Sequence, residues 1–479
     1  MLGHGTVVPA AIASALARHI RTDLPMPFGR LFDEQPSIAL EDLDLLEDFL
    51  FEQQGDQLDS EHSPAGFTFF GQFIDHDITL TESATGAEDD LTAIRPASAF
   101  INLRTPDFEL DSVFGFGPEH AISRVLFKPD GTMITGSDTG HEAWDLPRQL
   151  DGTAVIADPR NDENKIVAQI HAAFIRAYNR LHAEKGNYPE ARIELYHTYQ
   201  YIVLNDYLKR FVDPALVEQV RQAGAPLYSA MANAAGRRLL MPLEFSVAAF
   251  RFGHSQVRGG YLLNRGPNAG FPLFSDTAPD LNGREPIAPN ARVDFTLFFD
   301  DRLPPGGPAG AVDLPQGFNR TRKIDTKLSG PLALLRNPGI ASSTGPNPVD
   351  TLKSPRSLAK RNLFRARQLS VVSGQRAATL LGIAPLSAQE LGLANMPMSL
   401  QLKTPLWYYV LKEAELLGGE RLGPVGGRIL AETFLGALLH AENSFFRLKG
   451  ANWQPPADRR TMAGLMQYAA QGLPALPGG

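Results

Sequence analysis

Apolar residues recur along most of this chain at helical spacing, and no array of alternating strands is evident, which predicts a mainly α fold. The clearest helix runs from Pro159 to about Ala183, with Ile166, Ile170 and Phe174 on one stripe and Val167 beside them. Asp158 is placed to cap it, and Pro159 suits the first turn, where its missing N–H is not needed. Arg160 and Glu163, at i and i+3, extend that stripe toward the helix start. Taken alone, the pair reads as a capping glutamate and a partly exposed arginine. A second helix is predicted over Leu243–Val257, where His254 follows Phe245, Val247, Ala248, Ala249 and Phe250. A lone histidine there reads first as a satisfied core residue.

The same pattern divides the chain. Residues 1–50 read as an N-terminal extension packed on a larger core, 51–450 as that core, and 451–479 as a loose tail with one helix. Between 264 and 356 the chain is rich in Pro, Gly and Asn, which predicts a long irregular excursion before helical periodicity returns near 357. No internal repeat is evident. The apolar stretch Val7–Ala17 is short, broken by Pro9 and preceded by no Lys or Arg. It reads as a helix of the mature protein, not as a signal peptide. No apolar run reaches the roughly 18 residues that span a bilayer. The expectation is a soluble protein, cytoplasmic or exported without a cleavable signal, with no membrane insertion.

Composition narrows the chemistry. The 479 residues are 43% hydrophobic, and Lys+Arg 45 against Asp+Glu 53 gives a net charge of −8. That is an ordinary balance with no basic cluster, so no nucleic-acid partner is expected. Cysteine is absent, which excludes disulfides, thiolate catalysis and Cys-ligated metal or haem sites.

The most informative segment is Gly71-Gln72-Phe73-Ile74-Asp75-His76-Asp77-Ile78-Thr79. Burying His76 between two carboxylates among Phe69, Phe70, Phe73 and Ile74 is costly unless each charge finds a partner. A solvated acidic turn is the plainer alternative, but the flanking aromatics argue against full exposure. An iron triad of the His-x-Asp kind does not fit, because Asp77 directly follows His76. His141-Glu142 lacks the second histidine of a zinc-protease helix. Thr105, Asp107, Glu109 and Asp111 place oxygen donors at every second position, as a hard cation such as calcium requires, or as an acidic surface strand would by chance.

Together these segments resemble the animal-type haem peroxidases of the peroxidase–cyclooxygenase superfamily, from roughly Phe51 to Lys449, with a bacterial, disulfide-free member as the nearest type. The Gly-Gln-x-x-Asp-His-Asp block is similar to the one that carries the family's distal histidine, here His76, with Gln72 in the same catalytic set. Arg160, in Asp158-Pro159-Arg160-Asn161-Asp162-Glu163, matches the distal arginine. Arg251-Phe252-Gly253-His254 matches the proximal block, and Arg361-Asn362-Leu363-Phe364-Arg365 the block that follows the long excursion. Thr105 to Asp111, followed by Val113-Phe114-Gly115, matches the calcium segment. Thr404 to Tyr409 and Gly423 to Arg428 look like C-terminal blocks of bacterial members.

The resemblance implies a helical peroxidase fold over 51–450, with haem b buried between central helices and joined by long irregular loops. It implies His254 as the iron ligand, with Asn362 hydrogen-bonded behind it and Arg251 and Arg365 near the propionates or the proximal helix. Asp77, Thr105, Asp107, Glu109 and Asp111 would bind calcium, Asp107 through its carbonyl. Asp75 and Glu163 match carboxylates that form ester bonds to haem in mammalian members. Neither has an obvious basic neighbour in sequence, and a neutral ester would remove the cost of burying its charge. The implied substrates are hydrogen peroxide and a small organic, halide or pseudohalide donor. Asn164 stands where the chloride-oxidising mammalian enzyme has a haem-linked Met, which puts chloride oxidation in doubt. Two other readings compete: a haem dioxygenase acting on unsaturated fatty acids, and a non-catalytic calcium-dependent interaction protein. The dioxygenases carry a radical-forming Tyr three residues before the proximal His. Here that residue is Arg251. The interaction protein predicts loss of His76 or Arg160, and both are present.

Overall fold

Helix α1, Gly66–Ile78, is hydrophobic on almost every side, and such a helix must be buried on every side. Of its thirteen residues only Gln72 and Asp75 are not fully buried. Its start has no side-chain cap. Instead the N–H groups of Ala65 and Gly66 donate to the carbonyls of Asn319 and Phe298, so the irregular excursion closes the helix end. The computed structural model describes residues 26–33, 38–47, 49–51, 58–83, 90–307, 312–335 and 355–476. The Val7–Ala17 segment lies outside them.

The fold is mainly helical, as the periodicity predicts. One hydrophobic core joins α1 to α2 (Lys165–Lys185), α3 (Tyr188–Ile202), α4 (Leu358–Gln368), α5 (Leu406–Leu416), α6 (Pro424–His440) and α7 (Met462–Ala470). Aromatic side chains fix α1 on α2 and α3. Phe73 stacks on Phe174 with ring centroids 4.7 Å apart, and Tyr199 meets Phe73 edge-on at 6.2 Å. Each such ring, fully buried, contributes on the order of 1.5–3 kcal/mol. Beyond α3 the chain continues as a π-helical turn, Val203–Leu208, which sets Tyr207 against α1. A Cβ at Gly71 would lie 2.5 Å from the Tyr207 hydroxyl oxygen, so this close approach requires glycine.

The strands are short. A four-stranded sheet runs Thr81–Ser83, Phe100–Asn102, Met26–Gly29, Met241–Pro242, the last pair parallel. The excursion is irregular as expected, with the small pairs Gly260–Leu262/Gly270–Pro272 and Asp59–Pro64/Arg320–Arg322. The segment read as a loose tail contains α7, whose Met462 and Leu465 are buried against α2.

Two predicted helices are broken. Pro159–Asp162 is a tight 3₁₀ turn capped by the Asp158 side chain, and α2 starts afresh at Lys165. The cause is Asn164, which is extended (φ −143, ψ 154) and caps α2 through bonds from the N–H groups of Ile166 and Val167. Arg160 and Glu163 therefore precede the α2 stripe instead of extending it. Likewise Leu243–Val257 is not one α-helix. A short α turn, Leu243–Ser246, breaks at Val247 and Ala248, and Ala249–Gln256 continues as a 3₁₀ helix carrying His254.

Candidate active site

The 159–162 turn is held from below by buried ion pairs. Arg104 donates to Asp158 at 2.6 Å, both side chains 1% exposed, and Arg148 bridges Asp145 and Asp162. Breaking such a buried pair from one side typically costs about 3–5 kcal/mol, so the turn is a rigid platform. Arg160 stands on it. Its Nε and Nη2 bind both oxygens of Asp158, and Nη2 also donates to the carbonyls of His76 (2.9 Å) and Thr79 (2.7 Å). Arg160 thus ties the turn to the last turn of α1, where carbonyls lack helical partners. Burial opposes the Asp158 charge, but Arg160 and Arg104 outweigh it and hold its carboxyl well below the usual range.

Beside Arg160, His76 is 5% exposed, and its Nδ1 lies 2.9 Å from Asn161 Oδ1. Burial, then the Arg160 charge, push its pKa down to about 3, so the ring is neutral. Gln72, one turn earlier on α1, accepts a 3.0 Å bond from the Asn164 amide. Asp75 accepts from the Thr79 hydroxyl at 2.9 Å, and burial raises its pKa against Arg160 and Arg251. The structure therefore supplies the basic neighbours that the local sequence lacks. Arg284 approaches Glu163 at 3.9 Å, and burial raises the Glu163 pKa as well.

On the facing wall, the 3₁₀ segment Ala249–Gln256 packs against α1 and is pinned by Trp407 of α5, whose indole N–H donates to the Arg251 carbonyl at 3.2 Å. His254 Nδ1 lies 2.8 Å from the amide nitrogen of Asn362 on α4. Burial, then Arg251, push the His254 pKa down to about 3. Arg251 Nη1 lies 2.7 Å from Asn362 Oδ1. Arginine has no acceptor, so the amide oxygen must face Arg251 and the NH2 must face His254. In this arrangement His254 carries its proton on Nε2. Arg365 donates to Gln368 and packs over the Phe100 ring, contacts that tie it to the Phe100–Asn102 strand.

The side chains between these walls share one property. Glu163 is 39% and Arg160 20% exposed, and Asp75, Arg251 and His254 are partly exposed too. A Cβ at Gly253, next to His254, would meet nothing within 4 Å. Two neutral histidines on packed elements, with partly exposed arginines at hand for acidic groups, fit a haem. The two cavities of about 110 and 30 Å³ elsewhere do not touch either histidine.

Residues of the expected calcium set are tied to their own loop and to α3. The 105–112 loop does reach Asp77, with Phe108 and Leu110 in left-handed conformation, but Asp77 accepts backbone N–H bonds from Leu110 and Ser112. Burial pushes the Asp77 carboxyl up to about 6. Glu109 is bound by Thr105 and Arg192, and the Asp107 carbonyl accepts from Gln200. Among the described residues no group of three or more His, Asp or Glu side chains, Asp111 included, is disposed to hold a metal ion.

Residues 100–274 match the animal haem peroxidase family. Members of that family bind haem. The matched stretch includes Arg160 and His254, whereas His76 and Asn362 lie outside it. A peroxidase-like protein from Margaritifera margaritifera is 27% identical over 265 residues, covering 43% of this chain and 33% of that protein. The chain thus spans about one third of that relative's length. Among solved structures, peroxidase A from Dictyostelium discoideum superposes with a TM-score of 0.62 at 17% identity, covering 95% of each chain. The fatty acid α-dioxygenase of Oryza sativa gives 0.58 at 14% identity, covering 98% of this chain and 84% of that one. The Arabidopsis thaliana enzyme gives 0.57 at 14%, covering 94% and 80%. These likenesses, at 14–17% identity, concern the fold alone.

Two residues of the site escaped the sequence reading. Asn161 follows Arg160 directly, and His171 lies four residues after Val167 on the buried side of α2. The second was legible as a polar residue on an apolar face.

Proposed function

We propose that the chain is a haem peroxidase, reducing hydrogen peroxide to water with electrons from small organic, halide or pseudohalide donors. The observation that carries this reading is the pair of neutral histidines on two packed elements, His76 on α1 and His254 on the 3₁₀ segment against it, each with its Nδ1 bound by a buried asparagine. When bound, haem supplies the redox-active iron at which the O–O bond is broken. His254 would hold the iron through Nε2, which requires the Asn362 amide to turn its oxygen toward His254 Nδ1–H. That turn frees Arg251 for an acidic partner, a role a haem propionate can fill.

His76 Nε2 takes the proton from one peroxide oxygen and returns it to the other, which leaves as water. Arg160 supplies fixed positive charge beside it. Its anchorage on Asp158 and two carbonyls means that no reorganisation is needed when negative charge develops. Gln72, held by Asn164, offers a further hydrogen-bonding group on the same face of α1.

The dioxygenase reading draws on the equally extensive fold likeness to the plant α-dioxygenases. Against it stand Arg251 at the tyrosine position and Phe252, which has no hydroxyl to lose a hydrogen. An absorbance scan with peroxide and a panel of phenols, thiocyanate and halides tests both. A Soret band that shifts with peroxide, followed by donor oxidation, is the expected result. Oxygen uptake with fatty acids and no donor oxidation would favour the dioxygenase, and no Soret band would leave only a non-catalytic protein.

Asp75 and Glu163 both lie near Arg160, and the carboxyl pKa of each is raised. After brief peroxide treatment, acidified organic solvent should therefore fail to extract haem. Asp75→Val with Glu163→Gln should restore extraction. Complete extraction from the treated wild-type protein would exclude the ester bonds and leave the histidine roles intact.

A further inference from the structure

We infer that Asn161 and His171 are positioning residues that set the tautomer of His76, so that its Nε2 presents a lone pair to peroxide. The inference rests on the proposed role of His76 as proton acceptor. One amide joins the two imidazoles: Asn161 Oδ1 lies 2.9 Å from His76 Nδ1, and Asn161 Nδ2 lies 2.9 Å from His171 Nδ1. Asn161 and His171 are both 0% exposed, so no bulk water competes for these bonds.

An amide oxygen only accepts and an amide NH2 only donates. His76 must therefore carry its proton on Nδ1, which leaves Nε2 bare, and His171 Nδ1 must carry the lone pair. If the amide turned over, every role would reverse. His76 would then hold a proton on Nε2 and could not take one from peroxide. Without His171, turning the Asn161 amide would cost only the exchange of one bond to His76. With His171 in place, the turn requires both rings to move a proton between their nitrogens in a site that water does not reach. His171 thereby locks the amide, and the amide fixes the base.

Two further observations agree. The Arg160 guanidinium near His76 disfavours a second proton on its ring and so keeps one nitrogen bare. His171 Nε2 is buried with no hydrogen-bond partner, which typically costs about 1–3 kcal/mol. A histidine kept at such a cost in an apolar position, edge-on to Phe73 at 6.3 Å, serves something other than packing. The arrangement also suits a cycle. When His76 takes a proton, Nδ1–H still donates to Asn161, and the bond strengthens with the charge.

The test is ¹⁵N NMR of the haem-loaded protein in its diamagnetic ferrous carbon monoxide form, with His76→Gln used to assign the ring signals. Wild-type His76 should show a single neutral tautomer, protonated on Nδ1. His171→Phe keeps the ring shape and removes the anchor. It should retain haem, give a mixture of His76 tautomers and react with peroxide about tenfold more slowly, the scale of other outer-shell losses. His171→Gln, which restores an acceptor, should recover the single tautomer. Should His171→Phe fail to fold, Asn161→Ala must give the same mixture. A proton on Nε2 of wild-type His76, or a single Nδ1 tautomer that survives His171→Phe or Asn161→Ala, overturns the inference. The peroxidase reading fails differently, through a wild-type protein that does not react with peroxide whatever its tautomers.

Discussion

Replacing His76 by glutamine should slow the reaction of the haem-loaded protein with hydrogen peroxide by about two to four orders of magnitude, the usual contribution of a positioned acid–base group. Haem content should stay unchanged, because His76 is not the proposed iron ligand. Stopped-flow spectroscopy of the Soret region measures the rate directly. The pH profile makes the same point. A histidine serves as proton acceptor only while neutral, so the rate falls as pH drops through its pKa. Burial and Arg160 hold that pKa near about 3, so the rate should stay flat from neutrality down to about pH 4. An ordinary histidine would lose activity near about pH 6.5. An unchanged rate in His76→Gln would remove His76 from this role.

His254→Ala should lose haem. Removing an outer-shell partner of a metal ligand typically costs about 10–100-fold in affinity, and removing the ligand itself should exceed that. Asn362→Ala, which deletes only the group behind His254, should fall inside that range and keep a weaker, spectrally shifted haem. The ordering separates a ligand from a packing residue, since a buried histidine that merely fills space would rank below the 0% exposed Asn362 or level with it. Haem titration followed at the Soret band reads both variants. Wild-type affinity in His254→Ala would require another residue to hold the iron.

Much of this site was legible in the sequence, because its residues sit in short blocks whose types and order are unusual. His76 among phenylalanines, Arg160 behind a capping aspartate, and His254 after an apolar run were each visible as polar groups where burial is costly. The helical class was legible for a similar reason: periodicity reports the buried face of each element whatever it packs against. The element boundaries were less so. An apolar stripe runs through Pro159–Ala183, but the backbone breaks at Asn164, whose side chain gains more by capping α2 than by joining a helix. The calcium pattern was legible as spacing alone, and spacing could not show that Leu110 and Ser112 would turn their N–H groups toward Asp77.

The sequence by itself determined which residue types enter the interior and which blocks carry them, since the cost of burying a charge or an imidazole depends on local composition. Only the tertiary structure decided what each polar group meets. Asp158 faces Arg104 across 54 positions, Asn362 faces Arg251 across 111, and Asn161 stands between His76 and His171. Hydrogen bonds fix protons by geometry over about 3 Å. No spacing along the chain reports a distance of that kind between segments so far apart.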